Sequence, residues 1–365
     1  MHKLNFYPSG NADTCLIELE SGKMLLFDYA NMRDRENESD LRIDLSTELH
    51  NALEAAKRDY LDVVAFTHGD DDHIHGSTEF FHLEHADKYQ GDGRIKIREL
   101  WVPAALILED GVDDECRILR TEARDRLKRG EGIRVFSRPD ALADWLANNG
   151  TSLDARRHLI TNAGGLVPGF DKQADGVEFF VHSPFSKHCD DQDIDRNTTS
   201  LVVQLTFNTE TKVLMTADTP YEVWEDIVQI TKAHKNDIRL VWDVYKLPHH
   251  CSYTSLAEEK GKTKTEPVED VKWLLNQSQQ SAIIVSPSDP ITNEDTVQPP
   301  HMQAHNCYKD YVAKISGEIK VTMEHPSKDK PEKLVIEIDR FGARPLKRIS
   351  GAAAIITSRP APRAG

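Results

Sequence analysis

The chain has 365 residues, with 45 Lys and Arg against 61 Asp and Glu, so its formal charge at neutral pH is −16. Apolar residues make up 39% and charged residues 29%, which fits a globular protein with a sizeable core and excludes disorder over most of the length. No run approaches the roughly 20 apolar residues of a membrane span, and general duplex-DNA binding is disfavoured, because it needs concentrated Lys and Arg.

In chain order, Met1 to Tyr7 reads as a short strand without the apolar core of a signal peptide, which places the protein in the cytoplasm as an expectation. Cys15 to Leu19, the Ser21-Gly22 turn and Lys23 to Phe27 form a predicted hairpin that ends at Asp28. Helical spacing of Leu45, Leu49, Leu53 and Ala56 follows, then a buried-type strand, Leu61 to Phe66, and another at Glu99 to Val102. From about 105 to 165 the composition shifts to charged helix formers, which predicts a helical insert. Its basic run (Arg117, Arg120, Arg124, Arg126, Lys128, Arg129, Arg134) is diluted by Glu115, Glu122, Asp125 and Glu131. A solvated helix face is the expectation there, ahead of a phosphate-contacting surface.

Strands resume at Val177 to His182, Leu201 to Phe207, Lys212 to Thr216, Val241 to Leu247 and Ala282 to Ser286, and Lys333 to Ile338 reads as a closing edge strand. Residues 258 to 268 read as an exposed loop. Strands interleaved with helices predict one α/β sandwich domain over residues 1–349, followed by a flexible Ala-, Pro- and Gly-rich tail at 350–365. The cysteines, Cys15, Cys116, Cys189, Cys251 and Cys307, are scattered and form no CxxC pair, so neither a disulfide framework nor a thiolate zinc site is indicated.

The sharpest signal follows the strand Leu61 to Phe66, where the chain runs through Thr67 into His68-Gly69-Asp70-Asp71-Asp72-His73-Ile74-His75-Gly76. A strand-end loop with imidazole at 68 and 73 and carboxylate at 70 and 72 offers nitrogen and oxygen donors suited to Zn²⁺, Mn²⁺ or Fe²⁺. Without a cation, neighbouring aspartates repel one another.

This segment resembles the H-x-H-x-D-H motif of the metallo-β-lactamase superfamily. In particular it resembles the H-x-D-x-D-H form in the domain attached to the competence DNA-uptake channel protein ComEC. Further segments in the same order are similar to that family: Ser9 to Ile17 with its G-x-x-D turn, Leu25-Leu26-Phe27-Asp28, Asn197 to Val202, Leu214-Met215-Thr216-Ala217-Asp218, and Lys246-Leu247-Pro248-His249-His250-Cys251-Ser252. The resemblance implies a four-layer αββα metallo-β-lactamase-like sandwich and a centre holding two divalent metal ions, Zn²⁺ or Mn²⁺. His68, Asp70, Asp72, His73, Asp218 and His249 are its implied ligands. Asp218 also follows an apolar strand, and a carboxylate can give one oxygen to each of two cations. The tandem leaves open which of His249 and His250 is the ligand, with His249 preferred and His250 set near the substrate.

Asn197, Ser200, Ser252 and His75 are candidates for contacting substrate or supporting ligands. Asp70 stands where most of the superfamily has a second His, and Asn197 lies near the place of a third, so the first site would be oxygen-rich, which favours manganese. Cys251 replaces a family Gly, as does His75, and His301 only loosely matches the closing motif.

The resulting expectation is a metal-dependent hydrolase, with phosphodiesterase or nuclease activity preferred, acting through a metal-bound hydroxide. Asp72 would orient that hydroxide and His250 would protonate the leaving group. The alternatives are hydrolysis of a small ester or lactone, and a catalytically silent module that binds a partner. Expected partners are a phosphodiester or other small molecule, single-stranded nucleic acid, and a protein docking on the 105–165 stretch, with no membrane.

Overall fold

The computed structural model describes residues 1–112, 114–190 and 193–346. The expected tail at 350–365 lies outside them. The first strands are β1 (His2–Phe6), β2 (Cys15–Glu18), β3 (Met24–Phe27), β4 (Tyr60–Ala65), β5 (Lys96–Pro103), β6 (Ile133–Phe136) and β7 (Ile160–Thr161). They are followed by β8 (Val177–Ser183), β9 (Val202–Phe207), β10 (Lys212–Met215), β11 (Trp242–Lys246), β12 (Ser278–Ser286) and β13 (Glu318–Val321). A short ribbon, β14 (Pro326–Ser327) with β15 (Lys330–Pro331), precedes β16 (Leu334–Asp339) and β17 (Gly342–Pro345). Nine strands form one sheet in the order β17-β16-β1-β2-β3-β4-β5-β6-β7, and six form another in the order β13-β12-β11-β10-β9-β8.

The period-2 alternation of the strands decides the layers. Leu25, Phe27, Val63 and Ala65 point one way and meet Phe179, Val203, Leu205, Val213 and Val285 of the second sheet. Leu26, Leu61 and Val64 point the other way, under Leu45, Leu49 and Leu53 of helix Leu45–Ala55 and Leu119, Ala123 and Leu127 of helix Asp114–Arg129. On the far side, Leu214, Tyr245 and Ile284 pack beneath Trp224, Ile227, Leu274 and Tyr308 from three further helices. The chain is therefore a four-layer αββα sandwich. Asp44 caps the first helix by accepting from the Thr47 amide at 3.2 Å, a contact worth about 1 kcal/mol.

Two expectations change. The 105–165 stretch is not only helical: β6 and β7 pair in parallel with β5 and each other, extending the large sheet, and the helices between them return onto its outer face. Residues 334–339 do not close the sheet. The chain turns back at Gly342, φ 103°, so β17 takes the edge and β16 lies between it and β1. No helix among the described residues is long and apolar enough to cross a membrane.

What matters for chemistry is strand direction. β3, β4 and β5 run parallel in one sheet, and β10, β11 and β12 run parallel in the other. Their carboxyl ends converge at one rim of the sandwich, where α/β folds place ligands.

Candidate metal centre

Each charged side chain at this rim sits just past a strand that buries its apolar residues. Asp28 follows β3, His68 follows β4, Asp218 follows β10, and His249 and His250 follow β11. Asp72 and His73 lie on the single helical turn Asp71–Ile74 after His68. That turn is tied down by the Asp13 amide, which donates to the Asp72 carbonyl at 3.0 Å, and the Tyr29 amide, which donates to the His73 carbonyl at 3.0 Å.

Asp72, His73, Asp218 and His250 offer donor atoms that all lie within 4.8 Å of one another. His73 Nε2 is 3.1 Å from Asp218 Oδ1, and His250 Nε2 is 2.9 Å from Asp72 Oδ2. The far side of each ring is already used. His73 Nδ1 donates to Asp28 Oδ2 at 2.9 Å, and His250 Nδ1 donates to the Pro287 carbonyl at 2.8 Å. Asp28 is fixed in turn by the Thr67 amide at 2.7 Å and the Thr67 hydroxyl at 2.8 Å. This is the outer support that metal-bound imidazoles need: with a proton held on Nδ1, each ring could give its Nε2 lone pair to a cation.

Across the centre His250 Nε2 is hydrogen-bonded to Asp72 Oδ2, while other inward atoms are not so paired. His68 Nε2, His73 Nε2 and Asp218 Oδ1 are buried and have no hydrogen-bond partner. Unpartnered buried polar atoms cost about 1–3 kcal/mol each, so a group of them pointing at one spot fits a cation there. The electrostatics agree. Burial alone would lower the His73 pKa, but Asp218, Asp28 and Asp72 hold it well above the usual imidazole range. Burial also works against a charged His250, yet Asp218, Asp72 and Asp13 push it up to about 9. Asp218 is held well below the usual carboxylate range against its burial, chiefly by His73 and His250.

The tandem after β11 divides. His250 is buried and belongs to the four-donor group. The Nε2 of His249 lies 3.8 Å from Asp218 Oδ2, outside that group, and its side chain is 28% exposed. The backbone makes this split: His249, His250 and Cys251 take left-handed φ values of 49°, 51° and 69° in succession. Such conformations cost about 1–3 kcal/mol each for non-glycine residues and need outside support. Here the His249 amide donates to the Ala217 carbonyl, and the His301 amide donates to the Cys251 carbonyl, both at 3.1 Å.

The other expected residues are spread more widely. His68 is buried beside His73, with ring centroids 3.9 Å apart, and its Nε2 is 3.4 Å from Asp70 Oδ2. Asp70 Oδ1 receives Arg196 Nη1 at 2.8 Å. Asn197 Oδ1 is buried without a partner. The Ser200 hydroxyl donates to the Asn197 carbonyl at 2.8 Å, and Ser252 caps the turn at Tyr253–Ser255. His75 turns outward, 47% exposed, with Nδ1 3.0 Å from Asp71. His301 serves the loop, since its Nδ1 accepts from the Tyr253 amide at 3.4 Å and its Nε2 donates to the Val297 carbonyl at 3.2 Å.

Sequence reasoning passed over three contributors. Asp13 and Lys246 form a buried ion pair beneath the centre, and Lys246 Nζ also donates to the Ala217 carbonyl at 3.2 Å, just before Asp218. Both stand in segments quoted for the resemblance, which is the signal that was available. Arg196 carried no signal beyond its place next to Asn197.

No model of a known protein family matches the chain, and no curated protein matches it. Solved structures of similar outline include a mutant of the CmlA β-hydroxylase, at 10% identity and TM-score 0.41 over 87% of this chain and 52% of that one. The chain thus spans about half the length of that protein. Others are a possible metal-dependent hydrolase from Veillonella parvula DSM 2008 (11%, TM-score 0.37, 87% and 95%) and Zn²⁺-bound PqqB from Methylobacterium extorquens (8%, TM-score 0.33, 88% and 98%). The layer order above rests on the chain's own strand pairing and core.

Proposed function

We propose that this chain is a metal-dependent hydrolase acting on a phosphodiester. The observation that carries the reading is the convergence of Asp72, His73, Asp218 and His250, where His73 Nε2 and Asp218 Oδ1 are buried without a hydrogen-bond partner, at the carboxyl ends of parallel strands. The resemblance of the motifs at 9–17, 25–28, 68–73, 197–202, 214–218 and 246–252 supports the choice of phosphodiester. Asp72, His73, Asp218 and His250 would hold one divalent ion, and His68, Asp70 and Asn197 would line a second place that Asp218 also borders. Such ions supply Lewis acidity to the phosphoryl group and acidity to an attacking water.

The protein groups then have separable tasks. Asp72 is the member of the four that solvent reaches, so its carboxylate is the group placed to take a proton from the attacking water. Asp28, Thr67 and the Pro287 carbonyl fix the rings of His73 and His250, so no reorientation is needed during reaction. His249, half open to solvent beside Asp218, is the group that reaches the leaving oxygen. Burial chiefly lowers its pKa, so it faces the substrate as a neutral imidazole that can steady the departing oxygen with a hydrogen bond from one ring N–H, while solvent supplies the proton. This gives His250 the ligand place and His249 the substrate side.

A short phosphodiester is favoured over long nucleic acid. The net charge is −16, and in the basic run Arg120, Arg124, Arg126, Arg129 and Arg134 are engaged in internal contacts rather than free to grip a polyanion. The test is hydrolysis of bis-p-nitrophenyl phosphate and single-stranded DNA with Mn²⁺ or Zn²⁺. Cleavage of the small ester is expected, and Asp72→Ala is expected to lower it by about a thousandfold or more while the fold persists. No hydrolysis with either ion, or undiminished hydrolysis in a folded Asp72→Ala protein, overturns the proposal.

A further inference from the structure

The two ion places are not alike. The four donors of Asp72, His73, Asp218 and His250 converge within 4.8 Å, and none of these side chains is ion-paired to a Lys or Arg among the described residues. The second place differs at Asp70. Arg196 Nη1 donates to Asp70 Oδ1 at 2.8 Å and to the Gly69 carbonyl at 3.1 Å. The opposite edge of the same guanidinium is locked to Glu109, with Nε 3.0 and 2.9 Å from its two carboxylate oxygens and Nη2 at 2.9 Å.

Packing holds this arrangement in place. A Cβ on Gly69 would lie 2.6 Å from Cys116 Sγ and 3.8 Å from Arg196 Nε, so the loop, the thiol and the guanidinium form one closed wall. A planar fork bonded on both edges loses little further entropy and does not swing aside for an incoming ion. Its fixed positive charge lies one carboxylate away from where a second ion would bind. Over such distances, and partly buried, like charges repel appreciably.

We propose, resting on the metal-dependent reading above, that Arg196 sets the occupancy of the centre. One divalent ion binds tightly at Asp72, His73, Asp218 and His250. Asp70 is already neutralised by the guanidinium, so a second ion at His68 and Asp70 is held weakly and exchanges. Arg196 is thus a built-in counter-charge that makes the second ion a dissociable partner rather than a resident one.

The experiment is Mn²⁺ and Zn²⁺ titration of the metal-stripped full chain by calorimetry, with elemental analysis after gel filtration. Wild type should retain one equivalent, with a second binding at least about tenfold more weakly. Arg196→Gln removes the charge and frees Asp70 and Glu109, so the second affinity should rise about tenfold or more and two equivalents should survive filtration. Arg196→Lys keeps a charge but loses the two-edged fork, so its second affinity should fall between those of wild type and Arg196→Gln. If Arg196→Gln does not fold, the Arg196→Lys protein decides alone, and its second affinity should still rise above that of wild type. Two equally tight equivalents in wild type, or a ratio unmoved by these substitutions, overturn the role of Arg196 and leave the hydrolase reading standing. No binding of either ion overturns the metal reading itself.

Discussion

The rim of the sandwich and the helix Asp114–Arg129 are both crowded with charge, and they treat it in opposite ways. On the helix the arginines find internal partners. Arg126 Nε donates to Glu122 at 2.6 Å with both side chains fully buried, and its Nη1 reaches the carbonyls of Ile97 and Gly132. Arg124 donates to the Ile107 carbonyl, Arg120 to the Glu109 carbonyl, and Arg129 bridges Glu84 and Asp125. At the rim, by contrast, His68 Nε2, His73 Nε2 and Asp218 Oδ1 crowd together in the interior without a hydrogen bond to satisfy them. A dense run of charge in a sequence is therefore weak evidence of a binding surface. Buried polar atoms left without hydrogen bonds are stronger evidence, because they persist only where something else supplies the partner.

The sharpest way to break this contrast is within the tandem histidines. His250→Ala removes an inward donor and should lower hydrolysis by about a thousandfold together with loss of the tightly bound ion. His249→Ala should keep that ion and lower hydrolysis by about a hundredfold, as expected for loss of a hydrogen-bond donor to the departing oxygen. Elemental analysis beside the rate decides the matter, and the opposite pairing of ion loss and ion retention would return the ligand place to His249.

The next effect is on stability and belongs to the helix. Glu122→Gln leaves the buried Arg126 with only the half-exposed Glu84, 3.3 Å from Nη2, as counter-charge, and also weakens the contact from His85 Nδ1 at 2.8 Å. Breaking a buried pair from one side costs about 3 kcal/mol or more, so the denaturant midpoint should fall while metal content and rate per folded molecule stay unchanged. A fall in metal content would show that the helix and the rim are not separate systems.

These differences also explain what the sequence made legible. The strands before Asp28, His68 and Asp218 close on apolar runs, Met24 to Phe27, Val63 to Phe66 and Val213 to Met215, and the one before His249 on Val244 and Tyr245, so both the sheets and the residues at their carboxyl ends could be read in advance. The short β6, Ile133–Phe136, is flanked by charged helix and was lost in it. The pair Asp13 and Lys246 joins positions 233 residues apart, and Arg196 acts across the fold on Asp70, so neither is written in any local pattern. The split between His249 and His250 depends on three successive left-handed residues. In the family resembled, a glycine stands at the third of these places, and Cys251 holds the same conformation at a cost that residue identity alone does not reveal.

The smallest effect concerns a histidine buried away from any carboxylate cluster. His182 donates from Nε2 to the Arg239 carbonyl at 2.8 Å, and burial, aided by the nearby Arg239 charge, pushes its pKa down to about 4. The rim histidines His73 and His250 move the opposite way because carboxylates surround them. For His182 the unfolded chain takes up a proton near pH 6.5, while the folded protein resists until about 4. Folding stability from this group is therefore complete above about pH 6.5 and is lost as the pH falls toward 4, with about 2 kcal/mol gone by pH 5. His182→Gln keeps a donor for the Arg239 carbonyl and cannot titrate. Urea unfolding at pH 7 and pH 5 should show the variant losing about 2 kcal/mol less than wild type over that interval. Equal losses would mean that His182 is protonated inside the fold, and that burial without a facing carboxylate does not suffice to keep an imidazole neutral in this protein.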